Sequence, residues 1–144
     1  MMTEFLIYDH FEHVPSEDWP WVNFSPREMA CSHSGRVYLS RRSMDRLQAV
    51  RTEFEKPMII TSAYRSPTHP IETRKKSLSG AHTTGQAFDV LVYGHDAYDL
   101  MRLAFKHGFT EVSIKQKEDI DSRFVHLDDV SHMSHRPRPW VWTY

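Results

Sequence analysis

The run Gln86 to Tyr93 constrains this chain more than any other stretch, because it carries a carboxylate inside an apolar strand. Alternation puts Ala87, Asp89 and Leu91 on one face and Phe88, Val90 and Val92 on the other. A carboxylate in such a setting is costly unless it is paired, hydrogen-bonded or bound to a metal. His82 stands seven positions before Asp89, and Gly85 between them permits a turn that folds His82 back beside it. A second run, Phe124 to Asp128, places Phe124, His126 and Asp128 on one face, with Val125 and Leu127 on the other. Two imidazoles and one carboxylate can fill three corners of a zinc tetrahedron and leave the fourth for water. The alternative is a pair of hydrogen-bonded histidines, since ten histidines make chance pairings common.

Composition narrows the remaining classes. A chain of 144 residues suits one domain with one core, with residues 1–23 as an N-terminal arm. A hydrophobic share of 40% and a charged share of 26% describe a soluble globular protein. The formal net charge of -1 argues against nucleic acid or an anionic membrane as partner. Cys31 is the only cysteine, so no internal disulfide forms, and beside His33 it reads as a buried thiol. The N-terminus has no basic segment followed by an apolar core, so no secretory signal is expected. No apolar run approaches the ~20 residues of a membrane span.

In chain order, residues 1–23 are aromatic and acidic, and Pro15 and Pro20 argue for a short strand or extended arm packed on the domain. Ser25, Pro26 and Glu28 spell a helix start with a capping box, and Phe24 and Met29 are spaced as a hydrophobic staple. Residues 41–55 form a helix whose apolar face is Met44, Leu47, Val50 and Phe54. Met58 to Ser62 is β-rich and is expected to be a central strand, followed by a loop from Ser66 to Gly80 with the basic trio Arg74, Lys75 and Lys76. Asp96 is expected to cap a second helix, with Ala97, Leu100, Met101, Ala104 and Phe105 inward and Gly108 at its end. Glu111 to Lys115 is a strand, and Lys115 to Arg123 a charged loop. The tail after residue 130 is expected to be irregular and packed by Trp140 and Trp142.

These motifs, taken in order, resemble the zinc D-Ala-D-Ala carboxypeptidases and L-alanyl-D-glutamate peptidases, which share a fold with the hedgehog signalling domain. The family's Ser-x-x-His-x-x-Gly-x-Ala-x-Asp is matched by Ser79, His82, Gly85, Ala87 and Asp89. Its Ser-x-Tyr-Arg-Ser is matched by Ser62, Tyr64, Arg65 and Ser66. The phage-type subgroup opens as Phe24, Ser25, Glu28, Met29, Ala30 and Cys31 do, and closes as Phe124, Val125, His126 and Asp128 do. The two-histidine helix of thermolysin-like proteases is absent.

The resemblance implies an α+β fold, with an antiparallel sheet of about four strands against two main helices. It implies a zinc peptidase acting on peptidoglycan stem peptides, with His82, Asp89 and His126 as metal ligands. Arg65 would stabilise the oxyanion or anchor a substrate carboxylate, with Tyr64 and Ser79 also at the substrate. Many relatives carry an acid three places before the last histidine; here that place holds Arg123, which cannot act as a base. Asp128 is therefore nominated as base or ligand-orienting carboxylate, with Asp121 and Glu118 as alternatives. Without a signal peptide, a wall enzyme needs another delivery route, as a phage or prophage lysin has. The alternative is a virion or tail module that keeps fold and metal, with other virion proteins as partners.

Overall fold

The computed structural model describes residues 3–75 and 80–144. Its first sheet is a hairpin-like pair. Strand β1 (Phe5–Tyr8) runs antiparallel to β2 (Val37–Ser40), with Leu6 opposite Leu39 and both buried. The arm between them makes two short 3-10 turns and buries Trp21, whose indole N–H donates to Asp45 at 2.8 Å. Helix α1 (Pro26–Met29) starts as its residues dictate. Ser25 Oγ accepts from the Glu28 amide, and the Glu28 carboxylate accepts from the Ser25 amide. Phe24 and Met29 both lie in the core.

The long helices are α2 (Arg41–Phe54) and α4 (Gly94–Lys106), and they pack on each other. Met44, Leu47, Val50 and Phe54 are buried in α2, as their spacing requires. In α4 the buried set is Ala97, Leu100, Leu103 and Ala104, while Phe105 is exposed. Leu103 is inward in place of Phe105 because the two flank opposite edges of the Ala97, Leu100 and Ala104 stripe, and the core covers the Leu103 edge. Nor does Asp96 cap this helix. The cap position is Tyr93, and Asp96 lies in the first turn, paired with Lys56 at 2.5 Å.

The main sheet has five strands in the order β3-β4-β6-β5-β7, one more than expected. These are β3 (Ile59–Ser62), β4 (Ala87–Leu91), β5 (Glu111–Lys115), β6 (Phe124–Asp128) and β7 (Trp140–Thr143). All neighbours are antiparallel except β5 and β7. Strand β3 lies at an edge rather than in the centre. Its apolar composition misleads because Ile59 is 57% exposed while only Ile60 reaches the core. The tail is irregular as far as residue 139 apart from an isolated Met133–Arg136 bridge, but residues 140–143 pair with β5, and Trp140 and Trp142 are half-exposed rather than packed inward. The segment expected as a loop after Ser66 contains a helical turn, α3 (Pro70–Thr73), capped by His69 Nδ1. Phe88, Val90, Val112, Val125 and Leu127 form the inward face of the sheet. The opposite face of β4 and β6 carries Asp89 and His126.

Candidate metal centre

Two strands and one turn converge on the site. In the β4–β6 ladder Asp89 is directly opposite His126, so strand register alone puts the carboxylate beside the imidazole. His82 arrives on the 3-10 turn Ala81–Thr84, which Gly85 ends at φ +72°. A Cβ at residue 85 would lie 2.4 Å from the Tyr38 carbonyl oxygen, so only glycine fits both the left-handed backbone and the close approach of β2.

The resulting geometry is tight. His82 Nε2 is 3.2 Å and His126 Nδ1 is 2.8 Å from Asp89 Oδ1. The three donor atoms lie within 4.8 Å of one another. A tetrahedral zinc with bonds of about 2.0–2.1 Å needs donors about 3.3 Å apart, so this set fits the ion with little movement. The outer nitrogens are also fixed. His82 Nδ1 lies 2.7 Å from the Ala63 carbonyl, which can only accept, so Nε2 is left facing Asp89. His126 Nε2 lies 2.9 Å from Asp128 Oδ2. Carbonyl and carboxylate partners behind ligating histidines are the usual means of orienting them.

Charge follows this arrangement. Burial alone would raise the Asp89 carboxyl, but the His82 charge and the His126 hydrogen bond hold it well below the usual carboxylate range. Burial alone would lower His126; its hydrogen bonds to Asp128 and Asp89 outweigh that and raise it to about 9. Without a metal, a proton therefore occupies the middle of this cluster.

Asp128 is fully buried behind His126. Arg138 grips both its oxygens at 3.0 Å, and the Val130 amide donates to it as well. Arg138 also reaches Glu111 Oε2 at 2.6 Å, and Ser113 Oγ donates to Glu111 Oε1 at 2.6 Å. Burial and the proximity of Asp128 push the Glu111 carboxyl up to about 7, against the Ser113 donation. Glu111 sits 3.9 Å from His126 Nε2. It lines a cleft of about 400 Å³ together with Arg65, His82, Asp89, His126 and Tyr144.

Of the other expected residues, Arg65 lines that cleft, held by Glu72 Oε2 at 2.9 Å and Ser62 Oγ at 3.2 Å. Tyr64 is buried against the Tyr38 ring and is not among the residues lining the cleft. Ser79 lies outside the described residues. Asp121 borders a different hollow, Glu118 is exposed and paired with Lys115, and Arg123 donates to the Glu118 carbonyl. Cys31 is buried, accepting from the Ser66 amide.

Sequence reasoning passed over Glu111, Arg138 and Glu72. An alternation count on Glu111-Val112-Ser113-Ile114 would have put Glu111 and Ser113 on the site face; nothing local marks Arg138. Glu72 is buried and accepts from Arg65, Lys75 and the Gly80 amide.

No curated protein matches the chain. A profile of the family described as Peptidase M15 matches residues 22–128, about three quarters of the chain. The match runs from just before α1 to the last residue of β6 and contains His82, Asp89, His126 and Asp128. Peptidases of that family depend on zinc and act on peptidoglycan peptides, which is the chemistry that the clustered imidazoles and carboxylate suit. The protein is thus a member of the M15 peptidase family, folded around a zinc-compatible triad.

Proposed function

We propose that the protein hydrolyses stem peptides of peptidoglycan with a zinc ion held by His82, Asp89 and His126. The observation that carries this reading is the 2.8–3.2 Å convergence of the two histidines on Asp89 in a cleft that also holds an arginine and a second carboxyl. A zinc ion there supplies Lewis-acid activation of water and of the scissile carbonyl.

The chain's own residues do the rest. Arg65 stays charged and presents a fork of donors, so it suits the carbonyl oxygen that becomes negative or a substrate carboxylate. Glu72 fixes that fork from behind. Asp128, saturated by Arg138 and shut off from solvent, orients the His126 ring and is not the proton acceptor. Glu111 is assigned that task, because it is the cleft-lining carboxyl not among the proposed ligands. Opening and closing motifs like those of the phage-type subgroup support a phage or prophage lysin, of the carboxypeptidase or endopeptidase type.

The test is digestion of purified peptidoglycan with chelator and zinc add-back, read by mass spectrometry of the fragments. Zinc-dependent release of one defined fragment is expected, and its mass names the bond. Glu111→Gln should lower kcat by about a hundredfold or more with zinc still bound. Asp128→Asn should weaken zinc affinity about 10- to 100-fold. Full turnover by Glu111→Gln would remove it from the mechanism. No release from several wall types by the zinc-loaded protein would favour the virion module, with Arg123 in the acid's place as its reason.

A further inference from the structure

The face of the sheet that carries the triad does not end at β5. Register places Asp89, His126, Ser113 and Trp142 in one row across β4, β6, β5 and β7, and Ala87, Asp128, Glu111 and Trp140 in the next. Neighbouring strands are about 4.8 Å apart, so Trp142 stands about 10 Å from His126 along this row. Alternation puts Trp140, Trp142 and Tyr144 on this same side, their Cα atoms about 6.7 Å apart along the strand. All three are 44–48% exposed. The strip is continuous with the cleft. Tyr144 lines it, and its ring centroid is 5.0 Å from both Phe124 and Trp142.

We infer that this aromatic strip is a sugar-binding subsite, which holds the glycan from which the cleaved peptide hangs. The inference rests on the proposed hydrolysis of peptidoglycan peptides. The two ends of the cleft differ in character. One is cationic, with Arg65 and Lys75, and suits the carboxylates of an anionic peptide. The other ends in uncharged rings. A hexose presents a face of C–H bonds with partial positive charge, which meets the negative face of an indole while its hydroxyls stay in water. A peptide lying across the triad with its carboxylates toward Arg65 therefore leads its sugar-bearing end onto Tyr144 and Trp142. A second copy of the chain fits the strip less well. Three half-exposed rings leave roughly 300 Å² to be covered, well short of the ~800 Å² per partner of a stable interface.

The experiment is titration of the full chain with the N-acetylglucosamine tetramer, followed by tryptophan emission. A saturable change is expected. Trp142→Ala should weaken it about tenfold, Trp140→Ala should also weaken it, and Trp142→Phe should keep most of the affinity because it keeps a ring. In hydrolysis, KM for a stem peptide still joined to its disaccharide should be about tenfold below that for the bare peptide, and Trp142→Ala should bring the ratio near one. Absence of a saturable change, with equal KM for both peptides, would overturn the subsite and leave the peptidase standing. Hydrolysis of neither peptide would sink the peptidase, and the tetramer titration would then decide the subsite alone. A dimer by light scattering that Trp142→Ala dissolves would also overturn it, because the strip would then be an interface between copies.

Discussion

Glu72 shows what a single buried carboxylate does for this site. Burial alone would raise it, but hydrogen bonds from Arg65, the Gly80 amide and Lys75 bring it down to about 2. A folded-state value below the ordinary 4.5 means stability that is present above pH 4.5 and lost as pH falls toward 2. Thermal melts of the wild type should therefore drop between pH 4.5 and 2, and Glu72→Gln should flatten that drop while lowering stability at neutral pH. An unchanged pH profile in the variant would show that the three donors contribute nothing. The meeting of His82, Asp89 and His126 was legible in the sequence because they lie within two short strands and a turn. Glu72 was not, because its burial depends on a helical turn docking over Arg65, and an acid beside Arg74 and Lys75 reads as solvated surface. Arg138 was hidden for a similar reason, since its partners Asp128 and Glu111 lie far back along the chain.

Elements whose own pattern decides their position were readable. Helix α2 buries the four residues its period singled out, and β6 spans the five residues assigned to it. Elements placed by partners were not. Strand β7 exists because the Trp140 amide donates to the Thr110 carbonyl just before β5 and residues 140–143 pair with that strand, and a run of half-exposed aromatics has no period that foretells this. The turn before β4 lies between these cases. Gly85 was readable as a turn, but its contact with β2 was not. Gly85→Ala should destabilise the protein by at least about 1–2 kcal/mol from the left-handed backbone alone. The collision with the Tyr38 carbonyl adds to this, and the Gly85 carbonyl that accepts from Ser40 at 2.9 Å must move as well. The urea midpoint should fall, and zinc affinity with it, because His82 rides on the displaced turn. An unchanged midpoint would mean that β2 yields freely at this point.

Across the whole molecule, the triad ties the turn after the basic segment to two central strands, so a metal held by the proposed ligands would link its binding to folding. No helix among the described residues is long and apolar enough to cross a membrane. A ligand that binds only the native state stabilises it by about 4 kcal/mol at a thousandfold excess over its Kd. For a chain of this size that corresponds to roughly 8–16 °C in Tm. The pH dependence has opposite signs with and without zinc. In the metal-free protein His126 is raised to about 9 from 6.5, so its contribution is full below pH 6.5 and is lost as pH rises through 9. Zinc must displace the proton that this contribution depends on, so its own stabilisation grows over the same interval. The difference in Tm between zinc-loaded and chelated protein should therefore widen from pH 6.5 to 9. Calorimetry at neutral pH should show about one proton released per zinc, and Asp128→Asn, which removes a carboxylate from the imidazole, should reduce both effects. A Tm difference that is flat with pH would mean that the metal does not take the place of the His126 proton, and would remove His126 from the proposed ligand set.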